Sequence, residues 1–165
     1  MTPIVRTAIQ SALIRLLDIQ RLNNKLQYFS ASTTHAGEQI DGSRVVWQSI
    51  SVEMAEKTPS TGYPMLLVHC EKVKNTLRQK FARFSGTATI EVEARVSGDS
   101  AETLEEQAQT YVDAVVSLLE ESRGNWGDGV YYPGSYEIAY GALRPGGKRF
   151  LKSAHIAFDL EIHAS

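Results

Sequence analysis

The sequence has a single cysteine, Cys70, in 165 residues. That excludes an intrachain disulfide framework and any zinc site built on several thiolates. No apolar run approaches the ~18–20 residues of a membrane-spanning helix. A charged start followed by an apolar block is also missing, because Arg6 and Arg15 sit inside an amphipathic pattern. A secretory leader is therefore not expected. Net charge is small, with 17 Lys+Arg against 19 Asp+Glu giving −2, which argues against a generic nucleic-acid coat. Internal repeats and low-complexity segments are lacking too. What remains is ordinary for a globular chain: 42% hydrophobic and 22% charged residues. At ~150 residues per domain, the length predicts one domain over residues 1–165, with one long arm. Such a chain buries about two-thirds of its unfolded surface and needs no disulfide or metal to fold. These properties predict a soluble, cytoplasmic protein with no cofactor.

The small net charge hides an asymmetry. Residues 1–83 carry 11 Lys+Arg and 6 Asp+Glu, whereas residues 84–165 carry 6 and 13. Charged faces of opposite sign suit head-to-tail association. The alternative is that halves of a sequence are not halves in space.

Hydrophobic periodicity orders the elements. Val5, Ala8, Ile9, Ala12, Leu13, Leu16 and Leu17 recur at helical spacing, with Thr2 placed to cap and Pro3 at the first helical position, predicting a helix over about 3–24. Residues 30–62 form an irregular excursion rich in Ser, Thr and Gly. Within it Ile50, Val52 and Met54 alternate as a short strand, preceded by Arg44 and the apolar Val45, Val46 and Trp47. Pro64 opens a strand with apolar residues on both faces. Residues 71–83 follow, with Lys72, Lys74, Arg78, Lys80 and Arg83 against Glu71 alone. Next comes a long strand with Phe84, Ala88, Ile90, Val92, Ala94 and Val96 on one face. Its other face carries Thr87, Thr89, Glu91, Glu93 and Arg95, and reads as polar and outward. Asp99 or Ser100 caps a second helix with a Leu104–Leu119 stripe, ended by Arg123 and Gly124. Residues 125–134 are turn-rich. Tyr136, Ile138 and Tyr140 alternate as a strand, and a strong strand runs from Phe150 to Ile162. The layout is α+β: a mostly antiparallel sheet with two helices packed on one face, a long irregular excursion or β-arm, and a core over about 63–163.

Candidate chemistry is sparse. His35, His69, His155 and His163 lack metal-binding spacing, and no Gly-x-Ser-x-Gly elbow is present. Cys70 lies in a strand as a small hydrophobe. Arg144-Pro-Gly-Gly-Lys148 precedes a strand, whereas a phosphate loop should open a helix, so a hairpin turn fits better. Gly127-Asp128-Gly129 lacks the remaining acidic ligands of a calcium loop. Glu91 and Glu93 share a strand face with Arg95, the pattern of a solvated or intersubunit surface more than of an acid/base pair. The basic segment 72–83 interleaves with Val73, Leu77 and Phe81. It suits a phosphate backbone, an acidic protein neighbour, or solvent.

The order of elements carries a resemblance. It runs through Pro64-Met-Leu-Leu-Val68, Ile90-Glu-Val-Glu-Ala-Arg-Val96 and Ser97-Gly-Asp-Ser-Ala-Glu-Thr-Leu104. It continues into a helix with Tyr111-Val-Asp-Ala-Val-Val116 and closes with Ala154-His-Ile-Ala-Phe-Asp-Leu-Glu-Ile162. Over roughly residues 60–163 this resembles the tail-terminator, or tail-completion, proteins of long-tailed bacteriophages. The resemblance implies a virion structural protein and no catalytic residues. Such proteins form a ring, commonly a hexamer, that caps the major tail tube protein and joins it to the head-completion or connector protein. Genomic DNA passes through the pore without sequence-specific binding. Localisation would be the head–tail junction, after assembly in the host cytoplasm, with no membrane involved. On this reading Arg44, Trp47, Ile50, Val52, Met54, Lys72, Lys74, Arg78, Lys80, Arg83, Glu91 and Glu93 are contact residues. The alternatives are another head–tail connector or minor tail protein, a nucleic-acid-binding module using residues 72–83, and a small enzyme.

Overall fold

A computed structural model describes residues 3–31, 45–46, 62–146 and 149–165. The fold is α+β. Among the described residues, three helices run over Ile4–Leu16 (α1), Ile19–Ser30 (α2) and Ala101–Glu121 (α3). The described strands are Val45–Val46 (β1), Met65–Asn75 (β2), Phe84–Gly98 (β3), Gly124–Gly127 (β4), Val130–Tyr132 (β5), Tyr136–Tyr140 (β6), Arg144–Gly146 (β7) and Arg149–Ala164 (β8). The sheet order is β1-β2-β3-β8-β5-β4, and β6 and β7 also pair with β8. Only the short β1–β2 pairing is parallel among the described strands.

The first helix is shorter than the periodicity predicts. It ends at Leu16, and Asp18 begins a new helix by accepting a hydrogen bond from the Arg21 backbone N–H at 3.0 Å. An aspartate that caps a following turn competes with continuing the first helix. The second helix then runs past Asn23 and Asn24 to Ser30, because Leu22 and Leu26 are fully buried. At the start of α1, Pro3 stands one position earlier than expected, as the residue before the first turn. Thr2 lies outside the described residues. Val5 also departs from expectation: it is exposed, while Ala8, Ile9, Ala12 and Leu16 form the buried stripe.

Alternation places the sheet core. Leu66 and Val68 on β2 share a face with Ile90, Val92 and Ala94 on β3 and with Ala154, Ile156 and Phe158 on β8. All are buried in one hydrophobic cluster with residues of all three helices. Helices α1 and α3 pack on this face of the sheet, and α2 packs against α3. Ser100 caps α3 as one of its two candidate residues, and Asp99 instead meets Arg149 Nε at 3.2 Å. Lys152 interrupts the apolar face of β8, and its ammonium lies 3.1 Å from Glu105 of α3. The charge is thereby turned to the rim of the helix layer.

The turn-rich stretch after α3 is a small hairpin, β4–β5, turning at Asp128 and Gly129. Trp126, Tyr132 and Phe158 hold it on the sheet, with ring centroids 5.7–6.2 Å apart. Trp126 Nε1 donates to the Ser122 carbonyl. The Tyr132 hydroxyl is buried with no hydrogen-bond partner among the described residues. Burial pushes its pKa up to about 12, and the charges of Tyr136 and Glu120 add to the effect. Replacing Tyr132 with Phe removes an orphaned polar group. The variant should equal or exceed the parent at pH 7, by up to about 1 kcal/mol in urea denaturation. The sign above neutrality is fixed. The unfolded tyrosine ionises near pH 10 and the folded one near 12, so its stability contribution is complete below pH 10 and lost between the two. The loss is about 2–3 kcal/mol, and Tyr132→Phe should flatten the alkaline decline accordingly.

Candidate interaction surfaces

Three surfaces carry the candidate contact residues among the described ones. The first is the β2–β3 hairpin. A register shift between Cys70 and Lys72 places a bulge at Glu71. Beyond it Lys72 and Lys74 pair with Thr89 and Thr87 on the polar face, while Val73 pairs with Ala88 on the core face. The first third of the basic segment is therefore strand. The loop is clamped at its base: Asn75 Oδ1 accepts from the Leu77 and Ser85 backbone N–H groups, and Thr76 N–H donates to the Ser85 carbonyl at 2.9 Å. Above the clamp the tip stands in solvent. Leu77 is 62% exposed and Phe81 101%. Both have positive φ, 46° and 71°, a conformation that bulky side chains adopt only under constraint. Lys72, Lys74, Arg78, Lys80 and Arg83 are all exposed. None forms an ion pair with another described residue.

The second surface is the polar face of the sheet, and here the expectation of a solvated face is corrected. Glu93 is 4% exposed and Arg95 6%. They form a two-pronged ion pair, Nε to Oε1 at 2.7 Å and Nη2 to Oε2 at 3.1 Å. Burial of both charges is tolerable because each prong satisfies a donor and an acceptor together. Met65 and Leu67, which face Arg95 and Glu93 across β2, are also buried. Apolar residues on both faces of β2 thus mark a strand covered on both sides over its first four residues, Met65 to Val68. Glu91 is less buried and sits between two histidines. Its Oε1 lies 2.8 Å from His155 Nδ1 and 3.5 Å from His69 Nε2. Among the described residues, no group of three or more His, Cys, Asp and Glu is arranged to hold a metal ion. Cys70 lies on the core side, and burial raises the pKa of its thiol, which makes it a poorer nucleophile.

The third surface is one that sequence reading missed. In β6 all five residues are exposed. The strand expected from the alternation of Tyr136, Ile138 and Tyr140 is there, and these three side chains are 36%, 38% and 44% exposed. They point to the helix side of the sheet but lie at its margin, beside the acidic flank of α3. The Tyr136 hydroxyl donates to Glu120 Oε1 at 2.8 Å, and this bond to a carboxylate raises the tyrosine's pKa. Partial burial raises that of Tyr140, helped by the charges of Asp113 and Glu105. Leu143 and Phe150 extend the exposed apolar surface. The pattern of alternation carries no sign of this exposure. The one hint is two tyrosines where Leu or Val would suit a core.

The structure gathers Lys72, Lys74, Arg78, Lys80 and Arg83 on one hairpin, and Glu91 and Glu93 on the polar face next to it. Arg44, Trp47, Ile50, Val52 and Met54 lie outside the described residues. Arg144–Gly146 pairs back on Arg149–Leu151 as a hairpin, in keeping with a turn and not a phosphate loop. None of the described helices is long and apolar enough to cross a membrane. No family model matches the chain, and no curated protein matches it either.

Proposed function

We propose that this chain is a structural subunit of a tailed-phage neck, a tail terminator that forms a ring on the tail tube and offers the head connector a docking face. The reading rests on the resemblance of its element order. The observation that carries it furthest is the exposed hairpin tip, basic and apolar, on a chain that also exposes an acidic and aromatic edge. Two unlike surfaces on one subunit suit a heterologous interface, which closes into a ring when the rotation per subunit allows. The subunit's work is binding, with no catalytic step, cofactor or membrane contact. Its place would be the head–tail junction of the virion, its partners being copies of itself, the major tail tube protein and the head connector, with DNA passing through the pore.

Tail tubes polymerised with and without the full-length protein test this. The expected result is tubes of limited length with added density at one end in negative-stain images. If the protein at high concentration neither binds tube ends nor alters tube length, the reading falls. A second reading, binding of nucleic acid, is favoured by the exposed basic side chains of the hairpin. It requires DNA affinity that drops steeply with salt and is lost on neutralising Lys72, Lys74 and Arg78.

A further inference from the structure

We infer that the tip of the β2–β3 hairpin of one copy docks on the β6 edge and the acidic flank of α3 of a second copy. The inference rests on the proposed ring-forming function and names the two surfaces that meet. The donor surface is Leu77 and Phe81 flanked by Arg78, Lys80 and Arg83. A phenylalanine held fully in solvent at positive φ is costly unless something covers it in the working state. The acceptor surface is Tyr136, Ile138 and Tyr140, with Asp113 and Glu120 alongside on α3.

Apolar area and charge are complementary across the pair. Aromatic residues can take the Leu77 and Phe81 side chains, and the carboxylates face the guanidinium and ammonium groups at the rim. The two surfaces do not meet within one chain. Phe84, at the root of the tip, is opposite Ala164 of β8, whereas Tyr136 is opposite Phe158. Six residues of extended strand separate them, ~20 Å at ~3.3 Å per residue, and the tip extends beyond the root. The exposure of Leu77 and Phe81 shows that the tip is not folded back on its own subunit. A second copy supplies the match, and donor and acceptor being different patches makes the contact head-to-tail.

Charge exchange tests the proposal. One variant carries R78E, K80E and R83E; the other carries D113K and E120K. All changes are on exposed positions, and circular dichroism and melting temperature check that each variant folds. Self-association of the full chain is followed by sedimentation velocity, alone and with tail tubes. Each variant alone should associate at least about tenfold more weakly than the parent, since like charges then face each other. An equimolar mixture should recover parental association, because the acidic tip of one variant meets the basic flank of the other. If the parent assembles and both variants assemble equally well, the docking proposal is overturned while the ring reading stands. The same holds if both variants weaken but the mixture does not recover. A parent that stays monomeric both alone and on tube ends removes the ring reading as well. As an independent readout, F81C and I138C copies on a C70S background should form an oxidised heterodimer on mixing. A cross-link yield no higher than that of an F81C and Val5→Cys mixture contradicts the contact.

Discussion

Replacing Glu93 with leucine is expected to lower the free energy of unfolding by about 3–5 kcal/mol, the cost of removing the two-pronged carboxylate that faces a buried guanidinium. Arg95 would remain 6% exposed with its guanidinium facing an apolar side chain. A guanidinium cannot escape by losing a proton. The reverse variant, Arg95→Met, leaves the buried carboxylate with only His155 Nε2, at 4.0 Å, among the described residues, and a carboxylate can escape by taking up a proton. Burial without a guanidinium disfavours the charged form of a carboxylate, so the penalty is greatest at neutral pH and shrinks as pH falls. Each unit of that fall is worth about 1.4 kcal/mol. Arg95→Met should therefore recover at pH 5 relative to pH 7, and Glu93→Leu should not recover to the same extent. The double variant, with both charges replaced by apolar side chains of similar volume, should lose less than the sum of the two single losses. Urea denaturation of the three variants at both pH values decides the matter. Single losses below about 1 kcal/mol would mean that the pair behaves as a solvated surface pair.

A methyl group at Gly86 is the second change with a large expected effect. A Cβ built there lies 1.9 Å from the Lys74 carbonyl oxygen and 2.9 Å from the Asn75 Cα. The obstruction is backbone, which cannot swing aside as a side chain can. Gly86→Ala must push β2 and β3 apart just below the hairpin clamp, at a cost of about 2–4 kcal/mol. Gly127→Ala serves as the contrast. Gly127 has a φ of +89° but nothing within 4 Å of an added Cβ. Its penalty is conformational only, about 1 kcal/mol. The two variants thus separate steric obstruction from backbone preference, and equal losses would contradict the close approach at Gly86. Because Gly86 pairs with Asn75, whose side chain clamps the loop, the alanine variant should also disturb the tip and weaken self-association.

The sheet and the long helix α3 were legible because their signals are local. Ile90, Val92 and Ala94 alternate, Leu104, Ala108, Tyr111 and Val115 repeat at helical spacing, and each pattern has one good solution. The break between α1 and α2 was less so. The apolar repeat runs to Leu17, and a single capping side chain, Asp18, decides where the axis turns. Hairpin β4–β5 escaped reading because its strands are only four and three residues long and depend on Trp126 packing against Tyr132 and Phe158 from outside the segment. The surfaces were least legible. Glu93 and Arg95 alternate like solvent-facing residues, and Tyr136, Ile138 and Tyr140 alternate like core residues. In both cases exposure depends on how far the layers on either side of the sheet extend, which a period of two does not encode. The basic hairpin was visible as composition, and its geometry came from the bulge and the asparagine clamp.

Strand β8 carries a consequence for the order of events during synthesis. It pairs with β3, β5, β6 and β7, all of which leave the ribosome before it. Its pairing with β3 joins Phe84 to Ala164 across 80 residues of chain, so loop closure must precede most of the reward. Until residues 149–164 emerge, β3 has β2 on one side and an open edge on the other. A nascent chain halted before that point therefore presents a fifteen-residue unpaired strand edge, a template for misassociation. Premature termination should yield aggregates in place of partial folds.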